Sequence, residues 1–228
     1  MKAVVIVFPG SNCDRDGVVG LQKAGFKVQS VWHGENSLPQ NIDLIFIPGG
    51  FSYGDYLRSG AMSAISPIMN EVKKLAKKGV KILGVCNGFQ ILTEASLLDG
   101  VLLKNEKARF ICKMVNLKVE NSDTIFTNKY QNSQIIKIPV AHMDGCYFAN
   151  NDVIKKIEDN NQIAFRYCNE SGHVNGEANI NGSINNIAGI FNKEKNILGM
   201  MPHPERAIEN DLGSDDGIKV FESILNKF

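Results

Sequence analysis

The sequence has almost no net charge, no paired cysteine spacing, one tryptophan and no long apolar run. Most of these shortages exclude a class of protein. Lys and Arg total 25 against 24 Asp and Glu, a formal charge of +1 over 228 residues. That balance leaves no basic footprint for nucleic acid or for an anionic membrane surface. No apolar stretch approaches the ~20 residues that span a bilayer. The opening MKAVVIVFPGSNC starts like a signal peptide, but its apolar run stops at Pro9-Gly10 without a small-residue cleavage site; it reads as a buried first strand. Five cysteines, at 13, 86, 112, 146 and 168, are odd in number and form no C-x-x-C. A disulfide framework or a zinc ribbon would need paired or clustered spacing. Free thiols suit a cytoplasmic chain, and one of them could be reactive.

What is present is an ordinary globular composition, 43% hydrophobic and 21% charged, which excludes wholesale disorder. The length fits a single α/β domain over residues 1–228. The first hundred residues alternate strand and helix. Ala3 to Phe8, Lys27 to Trp32, Ile42 to Ile47 and Val80 to Val85 read as strands. Asp14 to Ala24, a stretch from Ile68 to Ala76 and Gln90 to Leu98 read as helices. Such alternation predicts a flavodoxin-like, mostly parallel sheet with flanking helices and right-handed crossovers. From Phe110 to about Phe191, β-rich runs (ICKMVNLKV, IIKIPVAH, IAFRYC) are divided by Asn/Gly/Ser turns, which predicts an antiparallel β elaboration of the same fold. Ile197 to Met201 adds a strand. Ile218, Phe221, Ile224, Leu225 and Phe228 form the apolar stripe of a last helix.

Within the first half, KILGVCNGFQ at 81–90 is an apolar strand, then G-V-C-N-G, then a helix. It is the nucleophile-elbow pattern with sulfur in place of oxygen. A residue at the tip of a strained strand-to-helix turn projects free of the sheet, and glycines two positions away on each side let neighbouring backbone pass. The helix that follows aims its N-terminal N–H groups at Cys86, which favours the thiolate and can hold an oxyanion. Cys13, Cys112, Cys146 and Cys168 read as structural. Cys13 lies in the polar loop GSNCDRD, which predicts exposure with no base nearby.

A thiolate nucleophile needs a histidine held by a third group. His203 lies in MPHPER, directly after a strand. Being before a proline it is pushed toward extended geometry, so Glu205 two positions on can share its face and fix the imidazole. His142, with Asp144 likewise two positions on, is a rival base that spacing alone does not exclude. His33 and His173 lie in polar, turn-like stretches expected at the surface. The loop PGGFSYGDYLRSGA at 48–61 follows a buried strand, at the end where parallel sheets bind ligands. Gly49 and Gly50 allow close backbone approach there, and a peptide N–H could be a second oxyanion donor. The absence of G-K-[ST] and of G-x-G-x-x-G argues against a nucleotide loop.

Together FPGSNCDRD at 8–16, PGGFSYGDYLRSGA at 48–61, GVCNGFQIL at 84–92 and GMMPHPER at 199–206 resemble the class I, triad-type glutamine amidotransferases. More narrowly they resemble the family of glutaminase subunits of phosphoribosylformylglycinamidine synthase. NGSINNIAGIFN at 181–192 is similar to the same family's pattern. The resemblance spans nearly the whole chain and implies a catalytic triad of Cys86, His203 and Glu205. It implies backbone donors to the oxyanion at Gly50 or Phe51 and at Asn87, and a glutamine contact at Gln90, with a segment near Arg109-Phe110 completing the pocket. It further implies no metal or cofactor on this chain, a large synthetase subunit that uses ATP and Mg, and a small third subunit. The activity implied is ammonia supply for converting formylglycinamide ribonucleotide to its amidine in purine biosynthesis, sluggish until the partner docks. The family usually carries Gly and Glu where this chain has Met143 and Asp144, which leaves that stretch without an implied role. Two rival readings are an amidotransferase of another pathway, which the loop at 51–61 disfavours, and a stand-alone cysteine hydrolase. The hydrolase would carry its histidine close behind the cysteine rather than far downstream. A binding module without catalysis would not need all three triad members.

Overall fold

Runs that are apolar at every position become the inner strands of one sheet, and alternating runs become its outer strands. The structure is a computed structural model and describes residues 1–226. In chain order the elements are β1 (Lys2–Val7), α1 (Asp14–Ala24), β2 (Lys27–Trp32), β3 (Leu44–Ile47), α2 (Ala61–Ala64), α3 (Pro67–Lys77), β4 (Lys81–Val85) and α4 (Asn87–Glu94). There follow β5 (Val101–Leu103), β6 (Ile111–Val119), β7 (Ile135–His142), β8 (Cys146–Phe148), α5 (Asn151–Asp159), β9 (Ile163–Cys168), β10 (Ile187–Phe191), β11 (Ile197–Met200) and α6 (Ile218–Leu225).

Nine strands form a sheet in the order β2-β1-β3-β4-β11-β10-β9-β6-β7, and β5 pairs with β8 in a separate ribbon. Neighbours from β2 to β11 are parallel, and those from β11 to β7 are antiparallel. The expected α/β sheet with its antiparallel elaboration is therefore one continuous layer. Every residue of β3, β10 and β11 is buried, as covering on both faces requires. In β6, by contrast, only Val115, Leu117 and Val119 are buried, the alternation of a strand with one wet face. On one face α1 and α6 meet Phe46 of β3: a β-carbon on Gly17 would strike its ring, and Phe221 packs against it at 6.2 Å between centroids. On the other face Leu92 and Phe89 of α4 fill the space left by Gly84 and Gly199.

Sequence and structure differ in places. Helix α4 starts three residues before Gln90, because its first turn closes directly on Cys86. Helix α5 lies inside the stretch read as purely β. Its signals were there: Asn150 caps it by accepting from the Val153 N–H at 2.9 Å, and Ile154 and Ile157 bury one stripe. The last helix forms as expected, with Phe228 of its stripe lying outside the described residues. His33 is not a free surface ring: it stacks on Phe8 and accepts or donates a 3.0 Å bond with the Tyr53 hydroxyl, and partial burial lowers its pKa. His173 is exposed, as expected.

Candidate active site

Cys86 occupies the kink between β4 and α4 with φ 52 and ψ −107, a positive φ that only a supported non-glycine residue holds. The support is specific. Its N–H donates to Met200 O of β11 at 2.8 Å, and its carbonyl accepts from Phe89 at 3.0 Å. A β-carbon on Gly88 would run into the carbonyl of Ile47, and one on Gly84 into Leu92 and Gly88. The two glycines of G-V-C-N-G are thus demanded by packing on either side of the thiol. The side chain is buried, with Sγ 3.7 Å from Ala141 O of β7. Helix α4 begins at the next residue, so its unpaired first-turn N–H groups gather beside the sulfur.

From the strand directly beside β4, the loop after β11 brings His203 to the same place. His203 is extended, at φ −99 and ψ 90, as a residue before proline should be. Glu205, however, does not continue an extended run; residues 204–206 form a single 3-10 turn with Pro204 in its first position. The tight turn still delivers the carboxylate: His203 Nδ1 lies 2.6 Å from Glu205 Oε1, with both residues at most 2% exposed. That bond fixes the proton on Nδ1. Nε2 has no hydrogen-bond partner among the described residues. Burial opposes charge on this ring, but Glu205, Cys86 and Cys13 outweigh it and raise the His203 pKa well above the usual 6.5. A thiol and an imidazole so placed can share a proton as thiolate and imidazolium.

Gly49 explains how three side chains fit. A β-carbon there would lie 2.7 Å from His203 Cε1 and 3.3 Å from both Cys13 Sγ and Cys86 Cβ. Cys13 therefore belongs to the site, contrary to the expectation of an exposed thiol with no base nearby. It is 3% exposed, and Arg206 Nη2 donates to its sulfur at 3.0 Å. The contact joins positions 193 apart, which no local pattern could announce. Cys13, His203 and Glu205 offer ligand atoms within 4.8 Å of one another. They do not suit a metal ion, because the Arg206 cation sits against the sulfur and the Nδ1–Oε1 bond already engages two of the donors.

The loop at 50–55 forms the opposite wall. Gly50, at φ 135, has its β-carbon position closed by Asn12 and Ser11, and its N–H has no acceptor among the described residues. Phe51 does not match the expected donor role: its N–H donates to Gly10 O at 3.0 Å. Its ring instead lies at the rim, 6.4 Å between centroids from Phe110. Asn87 accepts from Ser52 N at 3.2 Å and donates to Gln90 Oε1 at 2.8 Å and Asp55 Oδ1 at 3.3 Å. Gln90 Nε2 donates to Asp144 O at 2.6 Å. This chain of amides draws Asp144 to the site, although the sequence offered no role for it. Asp144 Oδ2 accepts from Ser59 at 2.7 Å while Oδ1 has no partner among the described residues. Burial first, and then the Asp144 charge, push the Asp55 carboxyl up to about 6. Two carboxylates tied to Asn87 and Gln90, in the helical turn after the thiol, suit an ammonium group on an incoming molecule.

His142, the rival base, turns away. Its Nδ1 bonds Asn105 Oδ1 at 3.1 Å rather than Asp144, and the ring is 2% exposed. Burial, helped by the charge of His203, lowers its pKa to about 4. It is a neutral structural ring.

An elbow cysteine, a carboxylate-held histidine far downstream and free backbone donors at two loop ends define a triad-type glutamine amidotransferase site. The family model for the CobB/CobQ-like glutamine amidotransferase domain matches residues 1–215. The chain is 54% identical over 226 residues to the phosphoribosylformylglycinamidine synthase subunit PurQ of Pelagibacter ubique, covering 99% of each. With the PurQ subunit of Methanosarcina barkeri it shares 50% over 227 residues, covering 99% of this chain and 97% of that one. Among solved structures, PurLQS from Thermotoga maritima superposes with a TM-score of 0.88 at 46% identity, covering 99% of this chain and 97% of that one. The chain belongs to the phosphoribosylformylglycinamidine synthase subunit PurQ family.

Proposed function

We propose that the chain, as a single amidotransferase domain, is the glutaminase component of phosphoribosylformylglycinamidine synthase. The observation that carries this reading is His203, bonded to Glu205 at 2.6 Å through Nδ1 and set beside the Cys86 elbow. The Cys86 thiolate attacks the γ-carboxamide carbon of glutamine. Negative charge moves to the carbonyl oxygen, where the N–H groups of Gly50 and Asn87 receive it. As the C–N bond breaks, the His203 imidazolium gives its proton to the leaving nitrogen, so ammonia departs and a γ-glutamyl thioester remains on Cys86. Neutral His203 then takes a proton from water, the hydroxide adds to the thioester, and glutamate leaves with the thiolate restored. Glu205 holds the ring's orientation and tautomer throughout. Asp55 and Asp144 receive the α-ammonium of glutamine, and Gln90 keeps Asp144 in place.

Ammonia must reach its acceptor unprotonated, so the product passes to a bound synthetase rather than to water. That partner is a large subunit that uses ATP and Mg to amidinate formylglycinamide ribonucleotide, accompanied by a small third subunit. No cofactor is needed on this chain for the chemistry above. Among the described residues no helix is long and apolar enough to cross a membrane, and free thiols fit a cytoplasmic setting. The test is amidination by the reconstituted complex with glutamine or with ammonium salt. Cys86→Ala should abolish the glutamine-dependent rate and keep the ammonium-dependent one; loss of both would contradict the reading. Glutaminase turnover should also rise when the synthetase is added, and equal rates would count against activation by docking.

A further inference from the structure

We propose that Cys13 is a positioning residue for this glutaminase reaction: its sulfur, gripped by Arg206, braces the His203–Glu205 pair. The inference rests on the triad reading and extends it to a fourth side chain. Cys13 immediately precedes α1, where its carbonyl accepts from Gly17 at 3.0 Å and its N–H points to Gly49 O at 3.4 Å. Three residues on, in the first turn of α1, Asp16 accepts from Arg206 Nε at 3.0 Å while Arg206 Nη2 donates to Cys13 Sγ at 3.0 Å. One guanidinium therefore fastens the start of α1 to the turn that carries Glu205, using two separate acceptors. Such double attachment removes the rotational freedom that a single contact would leave.

The sulfur reaches the pair itself. Its position, the His203 ring nitrogen and a Glu205 oxygen lie within 4.8 Å of one another, and the missing side chain of Gly49 leaves that space open. A buried thiol has no need of this arrangement: a cysteine that only filled space would sit among aliphatic groups. The charged and titratable groups around His203 are Glu205 and Arg206 from its own turn, Cys86 from the elbow, His142 from the end of β7 and Cys13 from the start of α1. Of these, Glu205, Cys86 and Cys13 act to keep the ring protonated against its burial. Without the sulfur the imidazolium loses one supporting partner, and the ring gains room to turn off the Nδ1–Oε1 axis.

Cys13→Ala and Cys13→Ser separate this role from mere packing. In the chain alone, the His203 ring titration followed by imidazole NMR should move to lower pH in Cys13→Ala. The expected shift is about half to one pH unit, the size of one polar contact favouring the charged ring. The serine, which keeps a polar atom near the same position, should fall in between. In the complex with its synthetase, the alkaline limb of glutaminase turnover should move the same way. There kcat should fall about tenfold, part of the ~10²–10⁴ that a placed acid–base supplies, with KM for glutamine little changed. An unmoved titration in both variants overturns the inference, as does a change confined to KM. Failure of both variants to fold would also overturn it, by placing Cys13 in the fold rather than the site. A wild-type complex without glutaminase activity would sink the functional reading instead, and the NMR titration would still decide the role of the sulfur.

Discussion

Three histidines, His33, His142 and His203, have a carboxylate two residues downstream, and the two that are fully buried, His142 and His203, end in opposite states. His203 bonds its own Glu205 and is held protonated. His142 ignores Asp144, bonds Asn105 and stays neutral down to about pH 4. The sequence pattern is nearly the same; what differs is the backbone that presents it. Pro204 closes a tight turn that folds Glu205 back onto the ring, whereas the turn after β7 gives Asp144 to Ser59 and presses His142 against Gly145. A carboxylate at i+2 becomes an orienting partner only when the turn makes it one, and the elements packed around the pair choose the ring's charge.

The sharpest break of this comparison exchanges the two rings' fates by mutation. His203→Gln should lower glutaminase turnover by about 10²–10⁴, the usual worth of a general acid–base, while His142→Gln should keep it within about threefold. Steady-state assays of the complex check both; similar losses in the two variants would erase the distinction. Next in size is the carboxylate pair. Glu205→Gln should cost kcat about 10²–10⁴ by releasing the tautomer, whereas Asp144→Asn should raise KM for glutamine by about tenfold with kcat largely kept, as removal of a charge-assisted contact to substrate does. A fall in kcat for Asp144→Asn would instead place it beside the chemistry.

The last expected effect is on stability. Unfolded His142 titrates near 6.5, but in the fold it resists protonation until about pH 4. Because its folded pKa is depressed, its contribution is complete above 6.5, declines as pH falls, and is gone below about 4, a loss of about 3 kcal/mol. Denaturant unfolding of wild type and His142→Gln between pH 7 and 4 checks this: the wild type should lose more stability over that range. His203, whose pKa is raised, carries the opposite sign, its contribution being present at low pH and lost as pH rises through the folded value.

What could be read from the sequence was local. The elbow, the strand–helix alternation of the first half and the pairing of His203 with Glu205 are each set by neighbours within a few residues, so periodicity and glycine and proline spacing point to them, although a 3-10 turn rather than an extended segment makes the pair. Residues that reach the site by long-range packing were invisible. Cys13 depends on Arg206, 193 positions away, and Asp144 on Gln90, 54 positions away. Phe51 shows the converse: of the two N–H donors the loop offers, Gly50 or Phe51, the Phe51 N–H is taken by Gly10. Helix α5 was missed because β-rich flanks on both sides masked a short stripe of two buried isoleucines.

The central claim is that one thiol among five is activated by one histidine among four. It is tested most directly by treating the chain with an electrophilic glutamine analogue and mapping the adduct by mass spectrometry in wild type, His203→Gln and His142→Gln. The account predicts a single adduct on Cys86, formed at a similar rate in His142→Gln and far more slowly in His203→Gln. An adduct on Cys13 or Cys112, or equal labelling of Cys86 in all three proteins, would contradict it.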